Sequence, residues 1–226
     1  MTDRVKISSG TVTLDGELSI PQEARGLVLF AHGSGSSRHS PRNHFVAREL
    51  QDQGLGTLLL DLLSENEAGI DDHADIRFDV ALLAERLARV TDWLTQSPRT
   101  ASLAIGYFGA STGAAAALIA AAQRPRDVTA VVCRGGRPDL AAAHLPHVHA
   151  PTLLIVGERD DVVLGLNRHA LVRLGGPRDL AVVSAAGHLF EEPGALADVA
   201  ELAGGWFSRH LVHARQDFGV SPSPLH

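Results

Sequence analysis

Cysteine, aromatic residues and long apolar runs are all scarce in this sequence, and each shortage excludes a class of protein. The one cysteine, Cys133, has no partner for a disulfide within the chain. Aromatic residues make up only 4% of the chain, too few for the stacking platforms of nucleic-acid-binding proteins. No stretch approaches the roughly 18 apolar residues of a membrane span, and the polar first residues lead into no apolar signal segment. We therefore expect a cytoplasmic protein with neither nucleic acid nor membrane as its partner.

Basic residues are in the minority, 20 against 26 acidic ones, which also argues against polyanionic partners. Apolar residues, by contrast, make up 45% of the 226 residues, enough to bury the core of one large domain. We expect residues 1–211 to form that single domain and residues 212–226 to form a loosely packed tail.

Short apolar runs alternate with helical patterns along the chain, which is typical of an α/β fold with a mostly parallel central sheet. Residues 5–7 and 12–14 predict a hairpin whose second arm extends toward residue 20 and forms an antiparallel N-terminal edge. Buried strands are predicted at residues 26–32, 55–63, 103–109, 128–133, 152–156 and 180–184. Helices are predicted at residues 41–53 and 112–123, between 193 and 211, and along the apolar stripe Phe78, Leu82 or Leu83, Leu87, Val90 and Leu94. Right-handed crossovers between parallel strands place helices on both faces of the sheet. Residues 134–151 leave room for only one crossover helix, so we expect no cap domain.

The segment Gly109-Ala110-Ser111-Thr112-Gly113 follows an apolar strand and precedes an alanine-rich helix. A nucleophilic serine needs such a sharp strand-to-helix turn, because the turn exposes its hydroxyl above the sheet while the glycines permit close backbone approach. Ser111 is the candidate nucleophile. The alternative is a serine that caps the helix, with glycines that serve packing alone.

A serine hydroxyl is a weak nucleophile at neutral pH, so a histidine must take its proton and a carboxylate must orient that histidine. His188 follows the last predicted strand and is the candidate base. Asp160 follows the preceding strand and is the candidate acid, with Asp161 as its rival and a helix N-cap as the alternative role. The order Ser111, Asp160, His188 along the chain is the order of an α/β-hydrolase.

Acyl transfer also needs donors for the negative oxygen of the transition state. The backbone N–H groups of Thr112 and of Ser34, in the loop after the predicted strand 26–32, are the candidates. Gly35 in the same loop is a candidate substrate contact, whereas an ordinary Gly/Ser turn is the alternative. The loop is short and lacks the lysine of a phosphate-binding loop, so nucleotide binding there is not expected.

Several other polar residues have a weaker claim to function. Arg134 and Arg137 follow a predicted strand and are candidates for contact with a substrate carboxylate, against a surface charge or local salt bridge. Cys133 is expected to be a small buried residue without catalytic role. Two groups are interpreted as structural or solvated: the histidines His144, His147 and His149, which are not expected to bind metal, and the helix-entry acids Asp71, Asp72, Asp75 and Asp79.

Together these segments resemble the α/β-hydrolase superfamily, specifically its dienelactone-hydrolase-like branch. The resemblance is carried by residues 32–38, 109–113, 157–160 and 187–193 and covers nearly the whole chain. It implies carboxylic ester hydrolysis through an acyl-enzyme, with no metal and no organic cofactor. Dienelactone hydrolase itself has a cysteine nucleophile, whereas this chain has Ser111, so the branch name does not give the substrate.

The sequence therefore predicts a serine esterase for small to medium esters or lactones, as a monomer or homodimer. One alternative is an acyltransferase or perhydrolase with the same triad. Another is a noncatalytic binding protein on a hydrolase scaffold, because a fold does not fix a function.

Overall fold

The computed structural model describes residues 2–68 and 76–211, which form one eight-stranded sheet with helices on both faces. The strands are Thr2–Ser9 (β1), Val12–Ser19 (β2), Gly26–Ala31 (β3), Gly56–Leu60 (β4), Ala104–Ala110 (β5), Val128–Arg134 (β6), Thr152–Gly157 (β7) and Arg178–Val183 (β8). Their order across the sheet is β1-β2-β4-β3-β5-β6-β7-β8. The pairs β1–β2 and β2–β4 are antiparallel, and every other pair is parallel. The predicted fold class, with its antiparallel N-terminal edge, is confirmed.

The helices are Pro41–Asp52 (α1), Glu65–Ala68 (α2), Val80–Gln96 (α3), Thr112–Gln123 (α4), Asp161–Leu171 (α5) and Ala195–His210 (α6). Helices α3 and α4 pack together on one face of the sheet, and α1 and α6 pack together on the other. Strands β3 and β7 are buried along their whole length, because helices cover both of their faces. All of the parallel strands end at one edge, which is where such sheets bind ligands.

Helix α4, which directly follows Ser111, is almost entirely apolar, and its residues 112–121 are all buried. Its alanines from Ala114 to Ala117 have no exposed surface. Side chains this small let the helix lie close to the sheet and to α3. The start of α4 is consequently fixed relative to the ends of β3 and β5.

Two predicted strands differ from the observed ones. The predicted strand 55–63 is shorter in the structure and ends at Leu60; the carboxylate of the next residue, Asp61, accepts hydrogen bonds from Arg38 in the loop after β3. The last strand, β8, is not buried as predicted: it is an edge strand, and among its six residues Val183 alone is buried.

Two predicted helical segments are also wrong. Residues 134–151 contain two short 3₁₀ turns, Pro138–Ala141 and Leu145–His147, instead of one crossover helix, and each turn has a proline in its first two positions. Phe78 is 59% exposed and lies in a 3₁₀ turn before α3, so it is not part of the buried stripe, which runs through Leu83 and Leu87.

Part of the predicted helix entry and tail cannot be compared with the structure. Asp71, Asp72 and Asp75 and the predicted tail 212–226 lie outside the described residues. Asp79 is described: its side chain accepts a hydrogen bond from the Leu82 N–H and caps α3. None of the helices in the described ranges is long and apolar enough to span a membrane.

Candidate active site

Ser111 lies on a sharp turn between β5 and α4, in a backbone conformation that few non-glycine residues adopt. Its φ is 52° and its ψ is −121°. The turn is also crowded: a Cβ atom on Gly113 would lie 2.3 Å from the Ala31 carbonyl oxygen, and one on Gly109 would lie 2.5 Å from the Ala114 Cα. Both glycines are therefore required by close backbone approach, and the serine side chain caps no helix N–H.

Asp160 and His188 meet at the ends of the two last strands. The Nδ1 atom of His188 lies 2.6 Å from Oδ2 of Asp160. Asp160 stands at the N-cap position of α5, but its side chain makes no capping hydrogen bond and contacts the histidine instead. Its rival, Asp161, is exposed in the first turn of α5, and no contact joins it to His188 within the described chain. This geometry favours Asp160 over Asp161 as the partner of the base.

The turn that bears His188 is held by two glutamates. Oε2 of Glu158 accepts hydrogen bonds from the Ala185 N–H, at 2.7 Å, and from the Ser184 hydroxyl, at 3.0 Å. Oε1 of Glu192 accepts one from the Gly187 N–H at 2.9 Å. The bonds from Ala185 and Ser184 favour the ionised form of Glu158 and hold the pKa of its carboxyl below the usual value.

The far end of the same turn is anchored by an aromatic side chain. Phe190 is 2% exposed and packs into the core on the α1 and α6 side of the sheet. Its φ is +56°, and that of Ala185 at the other end of the turn is +55°. The turn is thus strained at both ends around the histidine. Sequence reasoning missed the two glutamates and this anchor, although both glutamates stand in the quoted motifs 157–160 and 187–193.

The loop after β3 lies directly against the serine turn. A Cβ atom on Gly33 would be 3.1 Å from Cβ of Ser111, so this loop, the candidate oxyanion loop, closely approaches the candidate nucleophile. The Ser34 N–H donates a 2.8 Å hydrogen bond to the Thr112 hydroxyl. The Thr112 amide is the first of α4, where a helix provides no internal partner for its N–H groups. Gly35 has a φ of +73° and open space where a side chain would be.

His32, directly after β3, connects this loop to the segment after β4 through two hydrogen bonds. Its Nε2 accepts the Leu62 N–H at 3.0 Å, so its Nδ1 carries the proton and donates to the Gly33 carbonyl at 2.9 Å. Burial lowers the pKa of His32, because the charged form loses its hydration. The neutral ring therefore joins the oxyanion loop to the segment after β4.

The structure brings the candidate residues to one edge of the sheet, but not every pair of them is in hydrogen-bond contact. Within residues 2–68 and 76–211, no hydrogen bond joins the Ser111 hydroxyl to His188. Gly135 lies beside the histidine ring, where a Cβ atom would be 3.4 Å from Cε1. A cavity of about 530 Å³ opens on the other side of the oxyanion loop and is lined by residues 33–39, among others, but not by Ser111, Asp160 or His188.

Arg134 ends β6 directly beside the serine turn, where its carbonyl accepts the Ser111 N–H at 3.2 Å. Its side chain is 8% exposed, and its Nε and Nη1 atoms have no hydrogen-bond partner among the described residues. Burial lowers the pKa of this guanidinium to about 10, and the nearby charge of Arg42 adds to the effect. Arg134 thus stays charged at neutral pH. Arg137, in contrast, forms two hydrogen bonds with Asp139 and is part of a local salt bridge.

The remaining candidates behave as structural residues. Cys133 is fully buried, and burial raises the pKa of its thiol to about 12, so the reactive thiolate does not form near neutral pH. His144, His147 and His149 form no group with metal-ligand spacing in the part of the chain that the structure describes.

Comparison with known families assigns the chain. A model of the alpha/beta hydrolase domain matches residues 24–195. The chain belongs to the α/β-hydrolase family. The crystal structure of a dienelactone hydrolase from Anabaena variabilis is 57% identical, covers 93% of this hydrolase and 98% of that chain, and superimposes with a TM-score of 0.92. The predicted resemblance to the dienelactone-hydrolase-like branch is confirmed.

Other relatives of the hydrolase differ in name and in length. A "Putative phosphoribosyl transferase" of Mycobacterium tuberculosis is 56% identical over 209 residues, which are 92% of this chain and 46% of that protein. The chain thus spans about half the length of this curated relative. Est1E from Butyrivibrio proteoclasticus, at 14% identity and a TM-score of 0.77 over 91% of this chain and 98% of its own, shares the fold.

Proposed function

We propose that this α/β-hydrolase is a serine esterase that cleaves small to medium carboxylic esters or lactones through an acyl-enzyme. The single observation that most supports the proposal is the 2.6 Å contact between His188 and Asp160 at the sheet edge that also carries Ser111 on its strained turn. A carboxylate bonded to one ring nitrogen leaves the other nitrogen of the histidine to act as a base.

In the proposed reaction the Ser111 hydroxyl attacks the ester carbonyl carbon while Nε2 of His188 takes its proton. Asp160 keeps the proton of His188 on Nδ1 and stabilises the imidazolium that forms. The tetrahedral intermediate collapses when the imidazolium gives its proton to the departing alkoxide, which leaves an acyl group on Ser111. A water molecule, deprotonated by His188, then attacks the acyl carbon, and the bond to Ser111 breaks as His188 returns the proton to the serine oxygen and the acid leaves.

The proposed oxyanion donors are the backbone N–H groups of Ser34 and Thr112. The Thr112 amide starts a helix, whose positive end favours an anion. The Ser34 amide is bonded to the Thr112 hydroxyl in the free protein, so it must turn or share this bond when the oxyanion forms. We propose that the hydroxyl holds this amide in place until substrate arrives.

Arg134 is proposed to favour substrates with a negative charge near the ester. Its Nε and Nη1 atoms are buried and have no hydrogen-bond partner in the described ranges, which supports this role, since an anion that reached them would offset part of the cost of the buried charge. Arg134→Gln should lower kcat/KM for esters that carry a carboxylate by about tenfold and should change that for matched neutral esters little. An equal loss for both ester classes would contradict the role in specificity.

Two other activities of the same triad are distinguished by their products. An acyltransferase or perhydrolase would pass the acyl group to an alcohol or to hydrogen peroxide in preference to water. The phosphoribosyl transferase name belongs to proteins about twice as long as the matched region, and the contacts around Ser111 favour acyl chemistry for this chain. The cytoplasmic location, the single domain and the choice between monomer and homodimer stay predictions.

The experiment is a panel of model esters and lactones of increasing acyl length, assayed with wild type and with Ser111→Ala, with products identified in water and in the presence of competing nucleophiles. We expect hydrolysis that declines for long acyl chains and disappears in the variant. Hydrolysis retained in folded Ser111→Ala, or none by the wild type on any member of the panel, would contradict the proposal.

A further inference from the structure

A group of metal-ligating side chains lies away from the proposed catalytic residues, on the other side of the oxyanion loop. It consists of Glu17 from β2, His39 from the segment that joins the oxyanion loop to α1, and His44 from α1. The ligand atoms of all three lie within 4.8 Å of one another. Three separate elements thus direct a carboxylate and two imidazoles at one point.

Hydrogen bonding does not account for this arrangement. Nδ1 of His39 lies 3.9 Å from Oε1 of Glu17, and Nε2 of His44 lies 3.8 Å from Oε2 of the same residue. Both separations exceed the length of a hydrogen bond. They are close to the separation of two ligands around one zinc ion, about 3.3–3.5 Å for tetrahedral bonds of about 2.0–2.2 Å. Binding would draw together three ligand atoms that now lie within 4.8 Å of one another, and the 61% exposed side chain of His39 has room to move.

The local charge also suits a cation. Among the described residues, Arg38 is the one arginine or lysine within salt-bridge distance of the carboxylate of Glu17, and its Nε lies 3.9 Å from Oε1. Arg38 is bound more closely to Asp61, which accepts hydrogen bonds from both its side chain and its backbone N–H. The charge of Arg38 is therefore matched by Asp61, and Glu17 keeps a negative charge for an ion.

We propose that Glu17, His39 and His44 bind a divalent transition-metal ion of the zinc type. Two imidazoles and one carboxylate favour zinc, cobalt, nickel or copper over magnesium and calcium, which prefer oxygen ligands alone. The site is separate from ester hydrolysis, which needs no metal in the proposed mechanism. The bound ion links β2 to α1 and to the segment that follows Ser34, so it stabilises the oxyanion loop from its outer side.

The test is isothermal titration of chelator-treated protein with Zn²⁺, together with the visible spectrum of the Co²⁺ form, which reports the number and geometry of the ligands. The wild type should bind one Zn²⁺ per chain, and a hundredfold excess over Kd should raise Tm by about 5 °C. Binding should weaken at acid pH, because histidine binds metal in its neutral form.

The variants are His39→Gln and His44→Gln, and the matched control is His169→Gln, which removes an exposed histidine of α5. Each ligand variant should lower the affinity for Zn²⁺ by about tenfold or more, while the control binds as the wild type does. His39 is exposed enough that its replacement should leave the fold intact, which circular dichroism checks. No binding by the wild type, or equal binding by all three variants, would overturn the proposal.

Discussion

The turn that bears Ser111 and the turn that bears His188 lie at the same edge of the sheet, but they are held in different ways. The serine turn is fixed by backbone packed against backbone, with Gly113 against the carbonyl of Ala31. The histidine turn follows an exposed edge strand and is held by the side chains of Glu158 and Glu192. The difference teaches that the turn of Ser111 has no room for an added atom at Gly113, whereas the turn of His188 depends on separate hydrogen bonds that substitutions can remove one at a time.

The largest expected effect is on the serine turn. Gly113→Ala would place a Cβ atom 2.3 Å from the Ala31 carbonyl oxygen, and because both groups are backbone, the strain cannot be relieved by a side-chain rotation. We expect a loss of about 3 kcal/mol of unfolding free energy, a Tm lower by about 6–12 °C and no esterase activity. Thermal unfolding and an ester assay measure these effects.

The matched control for this substitution is Gly165→Ala in α5, where nothing lies within 4 Å of the new atom. It should leave activity unchanged and raise stability slightly, since alanine is the better helix former by about 1 kcal/mol. If Gly113→Ala and Gly165→Ala behaved alike, backbone crowding would not be what fixes the serine turn.

On the histidine side, Asp160→Asn should lower kcat by about 10³-fold or more, because an amide neither fixes the tautomer of His188 nor stabilises its charged form. Asp161→Asn should stay within about twofold of wild type, since Asp161 does not reach the histidine. Steady-state kinetics on one model ester compare the two variants. A larger loss for Asp161→Asn would transfer the role of acid to that residue.

A smaller effect is expected when Glu192, whose carboxylate holds the same turn, is replaced. Glu192→Ala removes the acceptor of the Gly187 N–H and should lower kcat by about tenfold at nearly constant KM, whereas Glu192→Gln, which retains an oxygen acceptor, should recover most of the rate. The adjacent Glu191→Ala, which removes a surface ion pair with Arg42, is the control. Equal losses in Glu192→Ala and Glu192→Gln would mean that charge, and not the hydrogen bond, positions the turn.

The smallest expected effect concerns His32, the buried residue that is hydrogen-bonded to the Gly33 carbonyl in the candidate oxyanion loop. Its pKa is lower in the folded chain than in the unfolded chain, so the unfolded chain binds more protons just below pH 6.5. Its contribution to stability is therefore complete above that pH and is lost as the pH falls toward the folded pKa. The free energy of unfolding, measured by denaturant titration at pH 5.5 and 7.5, should fall less on acidification in His32→Gln than in wild type. The same fall in both would assign the effect to other groups.

The sequence predicts the serine turn better than the histidine turn, and the reason is physical. Gly109, Ser111 and Gly113 lie within five consecutive residues, so the local sequence already indicates their sharp turn. The sequence alone does not show which of the neighbours Asp160 and Asp161 points toward His188. It also does not distinguish Glu158 and Glu192, which hold the histidine turn, from acidic residues that only face solvent.

The same distinction explains the errors in the fold. Apolar runs locate the strands but do not tell a covered strand from the edge strand β8, whose exposure depends on its having a neighbour on one side only. Residues 134–151 have the length of a crossover helix, yet Pro138 and Pro146 confine each helical turn to a few residues. The bond between the Ser34 N–H and the Thr112 hydroxyl joins residues 78 positions apart, and no local pattern indicates it.

Labelling with a fluorophosphonate probe tests most directly whether Ser111 is a nucleophile activated by His188. The probe reacts covalently with activated serines, and mass spectrometry of the digested protein locates the adduct. We predict one adduct, on Ser111, formed by the wild type, absent from Ser111→Ala and formed far more slowly by folded His188→Ala. No adduct on folded wild type, or an adduct on another residue that persists in Ser111→Ala, would contradict the claim.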